Sequence, residues 1–299
     1  MNLLVTGATG LIGTALVPHL ERNGHHVVPL RRAAAGGDSG PTWNPERGQV
    51  HLDPAVPLDA AVHLAGENIA QRWTPAAKAR IRASRVDATR CLSEALARQP
   101  HPPKVLVCAS ATGFYGDRGE EDLDESSRPG TGFLADVCQA WEAATAPARD
   151  RGLRVVHLRL GMVLARQGGA LARMVPVFRL GLGGRLGSGR QHWSWIALED
   201  ALRVIELALV DERLNGAVNT VAPPSCTNAG FTAALARALH RPAFLAVPAL
   251  IVRTVLGEMG REVLLASERV HPRRLQEVGF AFQYPDLEVA LDLLLSNNP

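Results

Sequence analysis

The stretch TGATGLIG, residues 6–13, decides the fold because it sets Gly7, Gly10 and Gly13 between a strand and a helix. An apolar run at 3–5 precedes it, and apolar residues at helical spacing follow as far as Leu20. Glycines spaced G-x-x-G-x-x-G permit a tight turn and let backbone approach a pyrophosphate at the helix N-terminus. A plain glycine turn is the alternative. We expect a bound dinucleotide, contacted by Gly7, Thr9, Gly10, Leu11, Ile12 and Gly13.

The end of the second predicted strand bears on the choice between NADP and NAD. An acidic residue there would accept a hydrogen bond from the ribose 2′-hydroxyl, whereas arginine accommodates a 2′-phosphate. The strand HHVVPLRR ends in Arg31 and Arg32, and no acid follows before Asp38. Guanidinium groups are suited to a phosphate, so NADP is expected. The alternative is a solvated pair of arginines that opens a loop.

Three further residues and two arginines are candidates for cofactor contact. The strand predicted at 60–66 ends in Leu64, Ala65 and Gly66, where small side chains leave the backbone free to approach a ribose or pyrophosphate. In the helix that follows, Arg80 and Arg85 are placed to reach a phosphate. Arginines in such a helix more often face solvent.

Alternating strands and helices predict the fold class. Apolar runs at 60–66, 104–110 and 154–164 read as strands, and helical patterns run from Thr74 to Arg98 and from Phe133 to just before Pro147. This alternation is typical of an α/β doubly wound parallel sheet of the Rossmann type. An amphipathic helix then opens near Leu198, and GAVNTVAP reads as a last short strand.

The change of pattern after residue 165 suggests two domains. We expect an NADP-binding Rossmann domain over 1–165 plus about 193–225. A smaller C-terminal α+β lobe for the substrate would comprise 166–192 and 226–299. The segment AAAGGDSG at 33–40 has the composition of a flexible connection.

Composition excludes several classes of protein. The 299 residues are 46% hydrophobic and 20% charged, with a net charge of +3 and no basic run, so nucleic acid is not expected as a partner. The four cysteines are widely spaced, which favours neither a disulfide framework nor a metal site and fits a reducing cytoplasm. We expect no secretory signal and no membrane span. A homodimer through helices on the sheet faces is left open.

Several motifs in order along the chain carry a resemblance to a known family. Together they are similar to the extended short-chain dehydrogenase/reductase superfamily, and more narrowly to its atypical branch of epimerase family proteins, named after sugar-nucleotide epimerases. The C-terminal stretch resembles that branch's small domain of unknown function. The motifs are TGATGLIG, AVHLAGENI, CASATGFYGDRG, WEAA, GLGGRLGSGRQHWSWIALED and SERVHPRRLQEVGFAFQYPDLEVAL.

The resemblance implies an N-terminal domain that holds NADP and a C-terminal lobe that closes over a substrate cleft. The loop GLGGRLGSGRQHWSWI would then lie near the substrate, with His192, Trp193 and Trp195 as candidate contacts. Packing between the lobes is the alternative role for the two tryptophans.

The acid–base dyad of the superfamily is missing. Its members commonly use Tyr-x-x-x-Lys on one helix, where the lysine lowers the tyrosine pKa because residues four apart share a helical face. The chain has two tyrosines, followed four residues later by Gly119 and Glu288. If Glu142 is matched to the glutamate that usually follows the dyad, Leu134 replaces the tyrosine and Cys138 the lysine. An apolar stripe through these positions predicts packing, with Cys138 buried and inert. The alternative is a reactive thiol, which would need electropositive surroundings that the sequence does not show.

Ser110 and Tyr115 are the remaining catalytic candidates. Ser110 ends a strand where the superfamily's serine would lie, and Tyr115 follows in the next loop, from which it could exchange a proton with a reacting oxygen. Tyr115 could instead anchor that loop through its hydroxyl. The acidic run EEDLDES at 120–126 reads as a solvated loop.

Two functions follow from these residues. The leading one is an NADP-dependent oxidoreductase or epimerase-like enzyme that acts on a small hydroxyl or carbonyl substrate. The alternative is a non-catalytic NADP(H)-binding sensor or regulatory protein, which the missing dyad favours.

Overall fold

The computed structural model describes residues 1–33 and 40–296. Almost all of the segment at 33–40 that was predicted to be flexible therefore lies outside the described residues. Within the described ranges, no helix is both long and apolar enough to cross a membrane.

The first part of the chain alternates strands with helices, as its periodicity predicts. In chain order the elements are β1 (Asn2–Thr6), α1 (Leu11–Arg22), β2 (His26–Pro29), β3 (Arg31–Arg32), β4 (Thr42–Asn44), β5 (Gln49–His51), β6 (Ala60–His63), α2 (Pro75–Ala97) and β7 (Val105–Ala111).

The middle of the chain completes the main sheet and adds short strands. Its elements are β8 (Asp122–Leu123), α3 (Phe133–Ala143), α4 (Ala146–Asp150), β9 (Arg154–Leu160), β10 (Met162–Leu164), α5 (Gly169–Arg179), β11 (Gly184–Leu186), β12 (His192–Trp193), β13 (Trp195–Ala197), α6 (Leu198–Val210) and β14 (Gly216–Thr220).

The last part of the chain is mainly helical. It contains β15 (Cys226–Thr227), α7 (Asn228–Ala238), β16 (Leu245–Val247), α8 (Ala249–Met259), β17 (Arg269–Val270), α9 (Arg273–Glu277) and α10 (Leu287–Ser296).

Six strands form one parallel sheet in the order β14-β9-β7-β6-β1-β2. β1 pairs with β2 on one side and with β6 on the other, so the strand order reverses there. In doubly wound sheets, ligands bind in the crevice outside the carboxyl ends of the strands at such a switch point. The predicted α/β Rossmann class is confirmed, and the crevice is located.

Helices cover both faces of this sheet. Leu3 faces a core that includes Leu16 of α1 and Ile205 of α6. Its neighbour Leu4 points to the opposite face and packs with Leu92 of α2, because successive side chains of a strand alternate between faces. The strands are therefore apolar on both sides, as buried parallel strands are.

A separate core holds the C-terminal helices together. Leu171 of α5, Phe231 of α7 and Leu291 of α10 pack with Trp193 and Trp195. The C-terminal lobe thus has an apolar interior of its own. The division of the chain near residues 165 and 225 stays a prediction.

Four predicted element boundaries differ clearly from the structure. The strand predicted to run to Arg32 ends at Pro29, and Arg31 and Arg32 form the separate strand β3. β6 ends at His63 rather than at residue 66, because the chain turns there toward Gly7. The strand expected at 154–164 breaks at Gly161, where a Cβ would lie 2.6 Å from the Ser194 carbonyl oxygen. The helix from Phe133 ends at Ala143, and Pro147 lies in the first turn of α4, where proline is tolerated.

The acidic run at 120–126 is largely exposed, as predicted, but it is not only a solvated loop. Within it, β8 pairs in parallel with β17, about 150 residues further along the chain. Asp122 binds Arg269 at 3.0 Å and His271 at 2.6 Å, and Asp124 binds Arg273 at 3.0 Å. The run therefore docks the C-terminal lobe beside the end of β7.

Candidate functional site

The glycine turn after β1 is built so closely that side chains are excluded from two of its positions. Gly7 has φ +69°, and a Cβ on it would lie 2.7 Å from the carbonyl carbon of Leu64. A Cβ on Gly13 would lie 2.1 Å from the Gly7 carbonyl oxygen. α1 and β6 can therefore pack against the turn only because both residues are glycine.

The outer side of the same turn is open. Thr9 and Gly10 are exposed, and Leu11 and Ile12 are half-buried at the start of α1. A Cβ on Gly10 would approach only the Gly7 carbonyl oxygen, at 3.3 Å. Gly10 is the N-cap residue of α1, and within the described residues no side chain caps this helix end. The first N–H groups of α1 are therefore available to a phosphate. The turn fits a pyrophosphate.

Arg31 and Arg32 form β3, directly after β2. They pair with Thr42 and Trp43 of a small three-stranded sheet, and both side chains are exposed. The sequence placed them at the end of the second strand, and the structure keeps both guanidinium groups open to solvent there. An exposed pair of planar donors suits a 2′-phosphate.

The carboxyl end of β6 is held against β1 by a threonine. The backbone N–H groups of Leu64 and Ala65 lie 3.2 and 3.4 Å from the Thr6 hydroxyl oxygen, and each donates to it. Gly66 follows, with Arg85 beside it: a Cβ on Gly66 would lie 3.3 Å from the Arg85 Cζ. Leu64, Ala65 and Gly66 thus form one wall of the crevice.

Arg85, rather than Arg80, lies at this wall. Its Nη1 donates to the Glu67 carbonyl at 3.0 Å, and its guanidinium lies 5.1 Å from the centroid of the Trp141 ring. Burial lowers the pKa of Arg85, and Cys138 is the first of the groups that act against this shift. Arg80 is largely exposed and pairs with Glu67. The sequence alone does not show which of these two arginines lies beside Gly66.

A buried polar chain that sequence reasoning missed links the cofactor end to α3. Thr6 Oγ1 lies 2.6 Å from His63 Nδ1, and His63 Nε2 lies 2.9 Å from Thr89 Oγ1. The Trp141 indole N–H donates to that same Thr89 oxygen at 2.8 Å. Burial lowers the pKa of His63 to about 4, so the ring is neutral at physiological pH. The one available signal was a histidine at the end of β6, whose other residues are all apolar.

Ser110 lies at the end of β7, where the sequence placed it. It is buried, and its hydroxyl donates to Glu142 Oε1 at 2.7 Å. Arg159 of β9 holds the same carboxylate through two hydrogen bonds, each of 2.9 Å. The Arg159 guanidinium also stacks on the Phe114 ring, 3.4 Å from its centroid. Ser110 is thus one end of a buried charged network.

Burial opposes the charge of Arg159, but its partners prevail. The hydrogen bonds of Glu142, then the charge of Tyr115, raise the pKa of Arg159 above its ordinary value. Arg159 is only 5% exposed, so its bidentate pair with Glu142 is shielded from water. Sequence reasoning missed it because the partners lie 17 residues apart on different elements.

Tyr115 is fully buried and is linked to Ser110 through Arg159 and Glu142. Its hydroxyl donates to Asn219 Oδ1 at 2.7 Å or to the Asp124 carbonyl at 2.9 Å, and accepts from Arg159 Nη1 at 3.0 Å. Burial raises its pKa to about 12. This geometry favours an anchoring role for the hydroxyl over proton exchange with a ligand.

Helix α3 packs as its apolar stripe predicts. Cys138, Trp141 and Ala144 are buried, and burial raises the pKa of Cys138 to about 12. The prediction that Cys138 is buried is confirmed, and its lack of reactivity stays a prediction. Leu134 is only half-buried and lies against Gly113. A Cβ added to Gly113 would lie 3.3 Å from the Leu134 Cβ.

The tryptophans of the HWSWI stretch belong to the lobe core. Trp193 is 9% and Trp195 1% exposed, and Trp193 contacts Phe231 edge-on. The two tryptophans therefore pack in a protein core, which was the alternative to contact with the substrate. His192 Nε2 lies 3.2 Å from Glu120. Throughout residues 1–33 and 40–296, no group of three or more His, Cys, Asp or Glu side chains could hold a metal ion.

Comparison with known families covers most of the chain. A model of the NAD dependent epimerase/dehydratase family matches residues 3–220. A model of a domain of unknown function, DUF1731, matches residues 247–294. The two matches together span the sheet and the C-terminal helices.

Individual relatives match over nearly their full lengths. The chain is 42% identical over 288 residues to an epimerase family protein of Mycobacterium leprae, covering 96% of this chain and 93% of the relative. It is 37% identical over 295 residues to human epimerase family protein SDR39U1, covering 97% and 98%. The crystal structure of human SDR39U1 (isoform 2) with NADPH superimposes with a TM-score of 0.91 at 37% identity, covering 100% of both chains.

Proposed function

Because the chain belongs to the NAD-dependent epimerase/dehydratase family, we propose that it is an NADP-dependent oxidoreductase or epimerase-like enzyme acting on a small hydroxyl or carbonyl compound. The observation that carries the proposal is the glycine turn at the switch point of the sheet, which fits a pyrophosphate and admits no side chain at Gly7 or Gly13. The similar human protein was crystallised with NADPH, which supports the choice of cofactor.

In this proposal different parts of the crevice bind different parts of the cofactor. The N-terminus of α1 binds the pyrophosphate, and Arg31 and Arg32 bind the 2′-phosphate. The walls at Gly66 and Arg85 hold the ribose side of the cofactor. When bound, the nicotinamide gives or takes a hydride.

Ser110 is the residue proposed to hold the reacting oxygen. Because its proton is donated to Glu142, its lone pairs are left to accept from a substrate hydroxyl. Arg159 fixes Glu142, and the Tyr115 hydroxyl fixes Arg159. Tyr115 is thus a positioning residue that acts through this network, while Ser110 faces the substrate.

The test is turnover of NADPH, followed at 340 nm, with a panel of carbonyl compounds and sugar nucleotides. We expect turnover with at least one compound and a loss of about a hundredfold in kcat on Ser110→Ala. Ser93→Ala removes another buried hydroxyl, which bonds the Thr145 carbonyl away from β7, and should leave kcat within about twofold. Tyr115→Phe should lower stability more than kcat. No turnover across the panel would reject the enzyme proposal.

The second candidate is an NADP(H)-binding sensor without chemistry. It is favoured by Leu134 and Cys138 at the dyad positions and by a Tyr115 hydroxyl that is wholly engaged in the protein. A sensor must bind NADP⁺ and NADPH with different affinities, since a ligand shifts a protein's state only through differential affinity. Equal dissociation constants by calorimetry would reject this alternative.

In the same proposal the smaller C-terminal lobe covers the substrate. Residues 166–192 and 226–299 would close over a small-molecule substrate, whose identity is set by side chains facing the crevice from both lobes. A homodimer remains a prediction, which sedimentation of the full chain would check.

A further inference from the structure

Large apolar side chains lie exposed on three adjoining segments of the C-terminal lobe. They come from the turn that ends α5, from the start of β16 and from α8. We call this set the apolar surface, and its residues are Leu180, Leu182, Phe244, Leu250, Ile251 and Val255. An exposed apolar patch of this kind marks a site of interaction with another protein or with a membrane.

Backbone contacts hold the three segments side by side. β11, which follows the turn after α5, pairs in parallel with β16. Arg241 Nε donates to the Arg179 carbonyl at 3.1 Å, which ties the chain before β16 to the end of α5. The Gly187 N–H donates to the Val247 carbonyl at 2.8 Å, just before α8 begins. The exposed side chains of these segments are therefore neighbours on one surface.

Helix α8 is apolar on two faces. Val252 and Met259 are buried, so one face packs on the protein. Ile251 and Val255 lie four residues apart on the exposed face, where they neighbour each other. A helix that only covered a core would carry polar residues on its outer side. The outer face of α8 is thus suited to an apolar environment.

The most exposed members of the apolar surface project from the protein. Phe244 is 91% exposed, Leu180 75% and Leu250 74%. Side chains that line a groove are covered by its walls, whereas side chains as exposed as these can enter a neighbouring apolar phase without a matching pocket. Phe and Leu are typical of protein faces that enter the boundary between lipid head groups and acyl chains.

The charged side chains of these segments are all basic. Residues 166–198 and 213–257 contain no Asp or Glu. Four exposed arginines lie around the apolar surface: Arg179, Arg185, Arg241 and Arg253. Asp292 of α10 lies in a hollow beside two of them, so the surroundings stay basic. A second copy of the same face would set arginine against arginine, since a two-fold interface joins identical patches. The charges are complementary to an anionic surface.

We propose that the apolar surface binds to an anionic phospholipid bilayer. Phe244 and Leu250 enter the boundary between head groups and acyl chains, and the four arginines contact lipid phosphates, which guanidinium groups bind through paired hydrogen bonds. Each basic side chain close to an anionic membrane strengthens binding by about fivefold. The proposal gives the C-terminal lobe a second binding surface, and it depends neither on the cofactor nor on turnover.

Cosedimentation of the full chain with large unilamellar vesicles tests this proposal. We expect binding to vesicles made of phosphatidylcholine and phosphatidylserine in equal parts, and at least about tenfold weaker binding to phosphatidylcholine alone. Added salt should weaken binding to the anionic vesicles, because it screens the arginines. No binding to the anionic vesicles, or equal binding to both kinds, would overturn the proposal.

A pair of apolar substitutions locates the surface that binds. Phe244→Ser with Val255→Ser should weaken binding to the anionic vesicles at least about tenfold, because two side chains no longer enter the lipid. Val210→Ser with Val289→Ser removes two exposed apolar side chains from other helices and should leave binding unchanged. An equal loss in both pairs, or none in the first, would overturn the proposal.

A pair of arginine substitutions gives an independent test, which holds even if the first serine pair does not fold. Arg179→Gln with Arg253→Gln should weaken binding about twentyfold, whereas Arg22→Gln with Arg47→Gln, also at exposed positions, should not. Unchanged binding in the first pair would overturn the proposal. So would sedimentation of the lipid-free protein as a dimer that Phe244→Ser with Val255→Ser separates, since a second copy would then cover this surface.

Discussion

At the carboxyl ends of β1 and β6, neighbouring elements are in contact through their backbones. At the carboxyl ends of β7 and β9, the contacts are made by charged side chains. Gly7 and Gly13 leave no room for a Cβ in the first region. In the second, Glu142 and Arg159 form a bidentate pair between Ser110 and Tyr115. The cofactor end thus keeps the glycine pattern of its superfamily, whereas the proposed reacting end is built from residues other than the Tyr-x-x-x-Lys dyad.

The largest effect is expected from breaking the charged region. Arg159→Met leaves the Glu142 carboxylate without its buried partner, which should lower the free energy of unfolding by about 3 to 5 kcal/mol. Urea denaturation measures it. Arg98→Met removes an arginine from an exposed pair with Glu94 and should cost no more than about 0.5 kcal/mol. Similar losses in both variants would show that the network is not a structural unit.

The backbone region should be broken by a single methyl group. Gly13→Ala would put a Cβ 2.1 Å from the Gly7 carbonyl oxygen, and forcing such a contact apart costs about 1 to 3 kcal/mol. The displaced turn should also lose NADPH binding, measured by protein fluorescence. Gly10→Ala meets the same oxygen at 3.3 Å and should destabilise the fold less. An equal loss of stability in both variants would contradict the close-approach argument.

The smallest of these effects concerns the rim of the cofactor end. Replacing Arg31 and Arg32 together by alanine should weaken NADPH binding at least about tenfold and leave NADH binding almost unchanged, because only NADPH carries the 2′-phosphate. The control pair Arg22→Ala with Arg47→Ala removes the same charge from other surface positions and should affect neither cofactor. Equal weakening for NADPH and NADH would show that the two arginines do not read the 2′-phosphate.

The cofactor end was predictable because its signals are local in sequence. The spacing of Gly7, Gly10 and Gly13, and the apolar periods on either side, predict strand, turn and helix without knowledge of the rest of the chain. The absence of the dyad and the burial of Cys138 could also be predicted from the sequence, since residues four apart on a helix share a face. The strand ends at His63 and Gly161 were missed because contacts from other elements fix them.

The reacting end could not be predicted because its contacts join distant parts of the chain. The Tyr115 hydroxyl meets Arg159 across 44 residues and Asn219 across 104. Asp122, in a segment that the sequence predicts to be a solvated loop, binds Arg269 and His271 of the C-terminal lobe. Nothing in the local pattern of residues 120–126 or 267–270 distinguishes such partners from surface charges.

The most direct test of this account is a crystal structure of the protein with NADPH. We predict the 2′-phosphate against Arg31 and Arg32, the pyrophosphate at the N-terminus of α1, and the nicotinamide beside Ser110. A nicotinamide ring far from Ser110, or a 2′-phosphate away from both arginines, would contradict it.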